Sequence, residues 1–245
     1  VGFALFAVAV VAALGAWVYV AWQARAALWR QVADKTGLTM GPGFRLSGTL
    51  DGATITVEPR HYGMTTYAQR TWTRVAARRP GVPEMSAVTE DLAGKLVQLA
   101  LRPDVRTGDD RFDQAVLLDG DEARIVALLD PARRTRLETF LHDGGMFERG
   151  EAVWWTFGIP RTAEALESQL RRVTAESAAF VFDGDPAEQL WERVRDDGEQ
   201  TDVRIQALRV LCTRFPAIGN RFARAVASQS GLPDALRDAG RALGQ

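Results

Sequence analysis

The hydrophobic pattern changes period along the chain, and each change marks a different element. Val1 to Trp22 (VGFALFAVAVVAALGAWVYVAW) contains no charged residue. As a helix this run would be roughly 33 Å long at about 1.5 Å per residue, enough for a hydrocarbon core of about 30 Å, so the pattern predicts a single membrane span. Trp17, Tyr19 and Trp22 gather at its end, where an aromatic belt would meet headgroups. Gln23, Arg25 and Arg30 break the run, and the helix is expected to continue to about Lys35 with Leu28, Trp29, Val32 and Ala33 on one side, stopping at Gly37. A buried core helix and a cleaved signal peptide are the rival readings. The length and the terminal aromatics argue against the second, although Ala24-Arg25-Ala26 matches a small-x-small cleavage pattern.

From Phe44 the period becomes two. Phe44–Leu50 and Ala53–Val57 flank Asp51-Gly52, the dipeptide suited to a type I′ hairpin. Tyr67 to Arg78 reads as a third strand, Glu90 to Leu101 as a short helix and Phe112 to Leu118 as another strand. Asp121–Leu129 and Pro131–Leu141 read as helices, the latter with Asp130 as N-cap and proline at its first position. Met146 to Thr156 predicts a hairpin turning at Arg149-Gly150. Beyond Pro160 the pattern is helical throughout, with apolar stripes at Leu166/Leu170/Val173, Leu190/Trp191/Val194, Val203/Ala207/Leu208/Leu211, Ile218/Phe222/Val226 and Leu236/Ala239/Leu243.

Hairpin-linked strands interrupted by separate helices predict an α+β fold with a small mixed antiparallel sheet and a C-terminal helical bundle. The implied domains are a transmembrane helix with its extension at 1–35, an α+β domain at 36–158 and a helical domain at 159–245.

Charge changes the picture in two places. Thirty basic against thirty-one acidic residues give a net charge of −1, which offers nucleic acid no basic excess. Arg25, Arg30, Lys35 and Arg45 follow the apolar run against one nearby acid, Asp34. The positive-inside rule then places the rest of the chain on the cytoplasmic side of a bacterial inner membrane. Only Lys35 and Lys95 are lysines among the basic residues, a bias that reads as the mark of a GC-rich bacterial genome.

Two resemblances rest on specific residues. Asp202-Val-Arg-Ile-Gln-Ala-Leu-Arg-Val-Leu211 resembles the D-x-x-x-A-L-x-x-L core of a HEAT-type repeat helix. More broadly, Trp29 to Leu38, the Gly48–Gly52 hairpin and Gly108-Asp-Asp-Arg-Phe-Asp113 resemble segments of bacterial membrane-anchored proteins. That likeness implies an architecture of one span followed by an α+β domain, and it implies no activity.

Candidate chemistry is sparse. Asp109, Asp110 and Asp113 form the best acidic cluster for Mg²⁺ or Ca²⁺, yet the spacing matches no calcium loop and a turn before a strand explains it as well. One cysteine, Cys212, and two histidines, His61 and His142, make a zinc site improbable. Ser47, Ser86 and Ser177 lack a nucleophile-elbow frame. No cofactor is expected and no enzyme is indicated. On the third strand, alternation gathers Arg70, Trp72, Arg74 and Arg78 on one face, a candidate surface for anionic lipid. From Asp202 onward seven arginines stand against three acids. Arg204, Arg209, Arg221 and Arg224 are therefore the candidate contacts for an acidic protein partner. The expectation is a membrane-anchored, non-catalytic protein-interaction or scaffold module that meets the bilayer through Val1–Trp22, with no nucleic acid and an open oligomeric state. A metal-dependent hydrolase and an anionic-lipid reader are the alternatives.

Overall fold

The computed structural model describes the backbone at residues 2–62, 70–89 and 105–245, and within these the side chains at 10, 12–60, 71–89 and 105–245. The first elements are α1 (Gly2–Thr36), β1 (Thr39–Gly41), β2 (Arg45–Leu50), β3 (Ala53–Tyr62), β4 (Arg70–Arg78) and β5 (Met85–Thr89). Next come α2 (Asp110–Ala115), β6 (Val116–Gly120), α3 (Glu122–Leu128), α4 (Pro131–His142), β7 (Gly145–Glu148) and β8 (Glu151–Phe157). The chain finishes with α5 (Ala163–Ala179), α6 (Pro186–Arg195), α7 (Thr201–Arg214), α8 (Pro216–Ser228) and α9 (Asp234–Leu243). This is an α+β chain with antiparallel strand pairing and a C-terminal helical region. The expected helix at 90–101 lies outside the described residues. Contacts divide the chain into two compact units, Val1–Ala77 with Trp155–Thr174, and Arg78–Trp154 with Ala175–Gln245.

In the first unit the strand order is β1-β2-β3-β4. Asp51 and Gly52 both have positive φ, 47° and 77°, and link Leu50 to its partner Ala53, the type I′ turn that the dipeptide predicts. Ala53, Ile55 and Val57 are buried while Thr54 and Thr56 are exposed, the alternation of a one-sided strand. Helix α1 ends at Gly37 (φ 71°), where the Leu38 N–H donates to the Ala33 carbonyl at 3.1 Å in a Schellman closure. Its last turns bury Ala26, Trp29, Val32 and Ala33, and the Trp22 and Trp29 rings lie 6.1 and 5.9 Å from Phe44. Lys35 Nζ, 2.6 Å from Glu167 Oε2, adds an ion pair to α5.

The transmembrane expectation is corrected here. Among the described residues no helix is long and apolar enough to cross a membrane. Beyond Trp22 the helix packs through Trp29 onto Phe44 and carries Arg25, Arg30, Asp34 and Lys35. The single-pass placement in a bacterial inner membrane rested on that span and falls with it.

In the second unit the strand order is β8-β7-β5-β6, with all three neighbouring pairs antiparallel. Arg149 (φ 49°) and Gly150 (φ 79°) make the hairpin turn between Glu148 and Glu151 that the sequence predicts. Strand β5, which the hydrophobic pattern does not announce, is buried at Met85, Ala87 and Val88. Helix α4 covers this sheet. Its Phe140 meets Phe147 edge-on at 5.7 Å, and Phe147 meets Phe180 at 5.1 Å. Asp130 caps α4 by accepting from the Arg133 N–H at 2.7 Å, and Asp185 caps α6 by accepting from the Ala187 N–H at 2.9 Å.

The expected strand at Phe112–Leu118 is half right. Residues 110–115 are helical, because Asp109 caps α2 through the Phe112 N–H, and strand begins only at Val116.

The last helices close through glycine. A Cβ on Gly219 would stand 2.5 Å from Cys212 Cα, and one on Gly240 would stand 2.8 Å from the Ala223 carbonyl oxygen. Backbones of α7, α8 and α9 therefore meet at distances that only glycine permits. The Trp191 and Phe222 rings stack at 4.0 Å with planes 4° apart, joining α6 to α8.

Candidate functional site

The acidic segment 108–113 is tied into the fold through Gly108, Asp109 and Asp113. Gly108 has φ +87°, and its backbone lies so close to α7 that a Cβ would come 2.5 Å from the Asp202 carbonyl oxygen. Asp113, 7% exposed, accepts from the Thr107 N–H at 3.0 Å, the Thr107 hydroxyl at 2.9 Å and the Gly108 N–H at 3.0 Å. It clamps the preceding loop. Asp109, 9% exposed, accepts from the Phe112 N–H at 3.2 Å and from the Gln200 amide at 3.3 Å, and its Oδ2 lies 3.3 Å from Arg134 Nε. Asp110 is exposed at the first turn of α2.

Arg134 leads to a second buried carboxylate. Its two terminal nitrogens donate to Glu199 at 3.1 and 2.8 Å, and one of them also donates to the Leu129 carbonyl at 3.0 Å. Arg193 donates to the same Glu199 at 3.1 Å and to the Ala127 carbonyl at 3.0 Å. The Gln200 N–H completes the set around Glu199 at 3.0 Å. Burial alone would raise the Glu199 pKa, but the hydrogen bonds from Arg134 and the Gln200 N–H and the charges of Arg134 and Arg193 outweigh it. The group is held below its ordinary value. Arg193 is also lowered, chiefly by burial, against the raising influence of Glu199. Two arginines and two carboxylates thus neutralise one another in a largely buried cluster, a structural arrangement whose loss is costly.

Glu199 has a depressed folded-state value, so its contribution to stability is present above the ordinary value near 4.5 and is lost as pH falls through the lowered value. The urea midpoint is expected to hold steady down to pH about 5 and then fall. The part of that fall due to Glu199 should vanish in Glu199→Gln, measured by tryptophan fluorescence at each pH.

The metal reading of Asp109, Asp110 and Asp113 gains nothing from this geometry. The buried pair accepts hydrogen bonds and an arginine where a cation would need free oxygens, and Asp110 is exposed away from the clamp. Among the described residues no group of three His, Cys, Asp or Glu could hold a metal ion. Millimolar Mg²⁺ or Ca²⁺ should therefore leave the thermal unfolding midpoint unchanged, and a rise abolished by Asp109→Ala would contradict this. A groove of about 220 Å³ opens beside the cluster, lined by Asp109, Arg111, Phe112, Arg134, Glu138 and Gln200. Arg111 and Glu138 pair across it at 2.8 Å, and the Thr135 hydroxyl that also lines it donates to the Pro131 carbonyl at 3.0 Å. Burial raises the Cys212 thiol, away from a reactive thiolate. His142 is exposed at the end of α4, and the His61 side chain lies outside the described residues.

The two arginine surfaces expected from the sequence fare differently. On β4, Thr73, Val75 and Ala77 are buried on one face, as alternation requires. On the other, Trp72 is half-buried with Phe157 edge-on at 5.3 Å, Arg74 is half-buried, Ala76 is buried, and Arg78 reaches Glu84 at 3.4 Å. The Arg70 side chain lies outside the described residues. Of the four candidate partner contacts, Arg204 is withdrawn from solvent at 3% exposure, donating Nε to the Val194 carbonyl at 2.9 Å and standing 3.0 Å from Asp197. It cannot meet a partner. Arg209, Arg221 and Arg224 are exposed.

Sequence reasoning missed Arg134, Arg193 and Glu199. One signal existed: Arg134, Leu137 and Leu141 occupy one helical stripe, all buried, and an arginine in that stripe asks for a buried carboxylate. Comparison of the chain with protein families, with curated proteins and with solved structures finds no match, so neither the HEAT-type nor the membrane-anchored resemblance is carried further.

Proposed function

We propose that the chain is a non-catalytic protein-interaction module whose docking surface is the outer side of its C-terminal helices. The observation that carries this reading is how the arginines after Asp202 are used. Arg204 is buried, Arg214 lies 3.4 Å from Glu122, and Arg237 and Arg241 pair with Asp234 and Asp238 one turn away. Arg209, Arg221 and Arg224 are exposed with no acidic partner among the described residues. Unpaired surface charge adds little to folding, but it steers and selects partners.

Affinity capture from cells that naturally make the protein tests the reading. The full chain is compared with Arg209→Glu/Arg221→Glu/Arg224→Glu. The reversed chain should keep its thermal midpoint and lose at least one captured protein. Identical capture by both chains would overturn it.

A further inference from the structure

The outer side of α8 is more than a charged face. Ala217, Arg221, Arg224 and Ser228 are exposed along it, one or two turns apart. Ile218, 39% exposed, and Ala225 flank them on the side that leads to Phe222. Phe222 is only half-buried and stacks on the half-buried Trp191 at 4.0 Å. Arg221 lies 5.4 Å from the Phe222 ring, and Arg195 lies 6.0 Å from the Trp191 ring. Ile218, Phe222 and Trp191 thus make an apolar shelf edged by cations. Arg195 is within 3.5 Å of Glu192, whereas Arg221 and Arg224 have no acid to answer them among the described residues.

We infer that the occupant of this shelf is an acidic amphipathic protein segment, one that sets an apolar side chain on Ile218 and Phe222 and carboxylates against Arg221 and Arg224. The inference rests on the proposed interaction role and names the partner's chemistry. Charge complementarity decides between acidic and basic segments: a basic segment would leave two arginines unanswered and repelled. The apolar shelf decides between an amphipathic segment and a plain polyanion. Glu188 and Glu192 are exposed on α6, the helix that carries Trp191. A continuous run of negative charge crossing the shelf would be repelled there, while discrete carboxylates at the α8 edge are not. Helix-in-groove recognition uses the same combination of spaced apolar anchors and a charged rim.

The test is fluorescence anisotropy with the full chain and three probes. The first is a synthetic helix-forming peptide of about 18 residues with leucines at helical spacing flanked by glutamates. The second carries lysine in place of glutamate, and the third is poly-L-glutamate. The glutamate peptide should bind and weaken as salt rises. Arg221→Glu/Arg224→Glu should lower its affinity about tenfold or more, and Ile218→Ser severalfold, with both variants keeping the thermal midpoint of the parent chain. Arg221→Lys/Arg224→Lys should retain most of the binding. No binding of the glutamate peptide, equal binding of the lysine peptide, poly-L-glutamate bound as tightly as the amphipathic probe, or indifference to the α8 variants would each overturn the inference. The two readings fail separately. If charge reversal changes cellular capture but the glutamate peptide does not bind, only the acidic occupant is lost.

Discussion

Glu199→Gln is expected to destabilise the second unit by about 3–5 kcal/mol. The amide keeps the volume and part of the hydrogen bonding but removes the charge that answers both Arg134 and Arg193. These arginines are 4% and 8% exposed, so neither recovers the lost partner from water. Urea denaturation followed by far-ultraviolet circular dichroism measures the loss. A quadruple variant, Asp109→Asn/Arg134→Met/Arg193→Met/Glu199→Leu, should recover part of it, because all four charges of the cluster leave together and the amide oxygen introduced at position 109 can still cap α2. A Glu199→Gln protein as stable as the parent would show that water reaches the cluster.

The second large effect is expected at Gly108. Alanine there is forced into a left-handed conformation at about 1–2 kcal/mol, and its Cβ meets the first turn of α7, adding about 1–3 kcal/mol of overpacking. The obstructing atoms, the Asp202 carbonyl at 2.5 and 2.9 Å and Val203 Cα at 2.9 Å, are backbone and cannot swing aside. Gly144→Ala is the matched control, since Gly144 also has positive φ (97°) but nothing within 4 Å of the place a methyl group would take. The difference between the two urea midpoints isolates the close approach. Equal losses would mean that α7 moves away freely from the 107–113 loop.

These two sites also show what the sequence could and could not disclose. Where a short stretch of chain decides its own conformation, local chemistry was enough. Asp51-Gly52 and Arg149-Gly150 turn as their positive φ requires, and Asp130-Pro131 and Asp185-Pro186 start helices through side-chain caps. Where the outcome depends on distant chain, the sequence was silent or misleading. Phe112 reads as strand because it leads into the apolar run Ala115–Leu118, yet the Asp109 cap makes it helix. Met85–Thr89 follows two prolines and is short, and only burial between β6 and β7 makes it a strand. The acidic cluster was visible, but its purpose was not, since Arg134 and Gln200 come from segments far along the chain. The apolar run of α1 misled most. Its hydrophobicity predicts a span, yet among the described residues no helix is long and apolar enough to cross a membrane.

The candidate partner surface divides the same way. Counting arginines after Asp202 suggested a basic region, and the structure narrows it by showing which side chains are already used. The structure removes Arg204 from the set, because an arginine at an inward helical position turns back to the Val194 carbonyl. Arg209 on α7 and Arg221 and Arg224 on α8 remain.

On the proposed reading the outer side of α8 meets another protein, while the buried charges only hold the fold. A photo-reactive amino acid placed at Ala225, on the exposed edge of the shelf, tests this most directly in cells that naturally make the protein. Irradiation should give a discrete, higher-mass adduct to a protein, and that adduct should disappear when Arg221 and Arg224 are reversed to glutamate. No adduct at Ala225, or an adduct of undiminished yield in the charge-reversed chain, would contradict it.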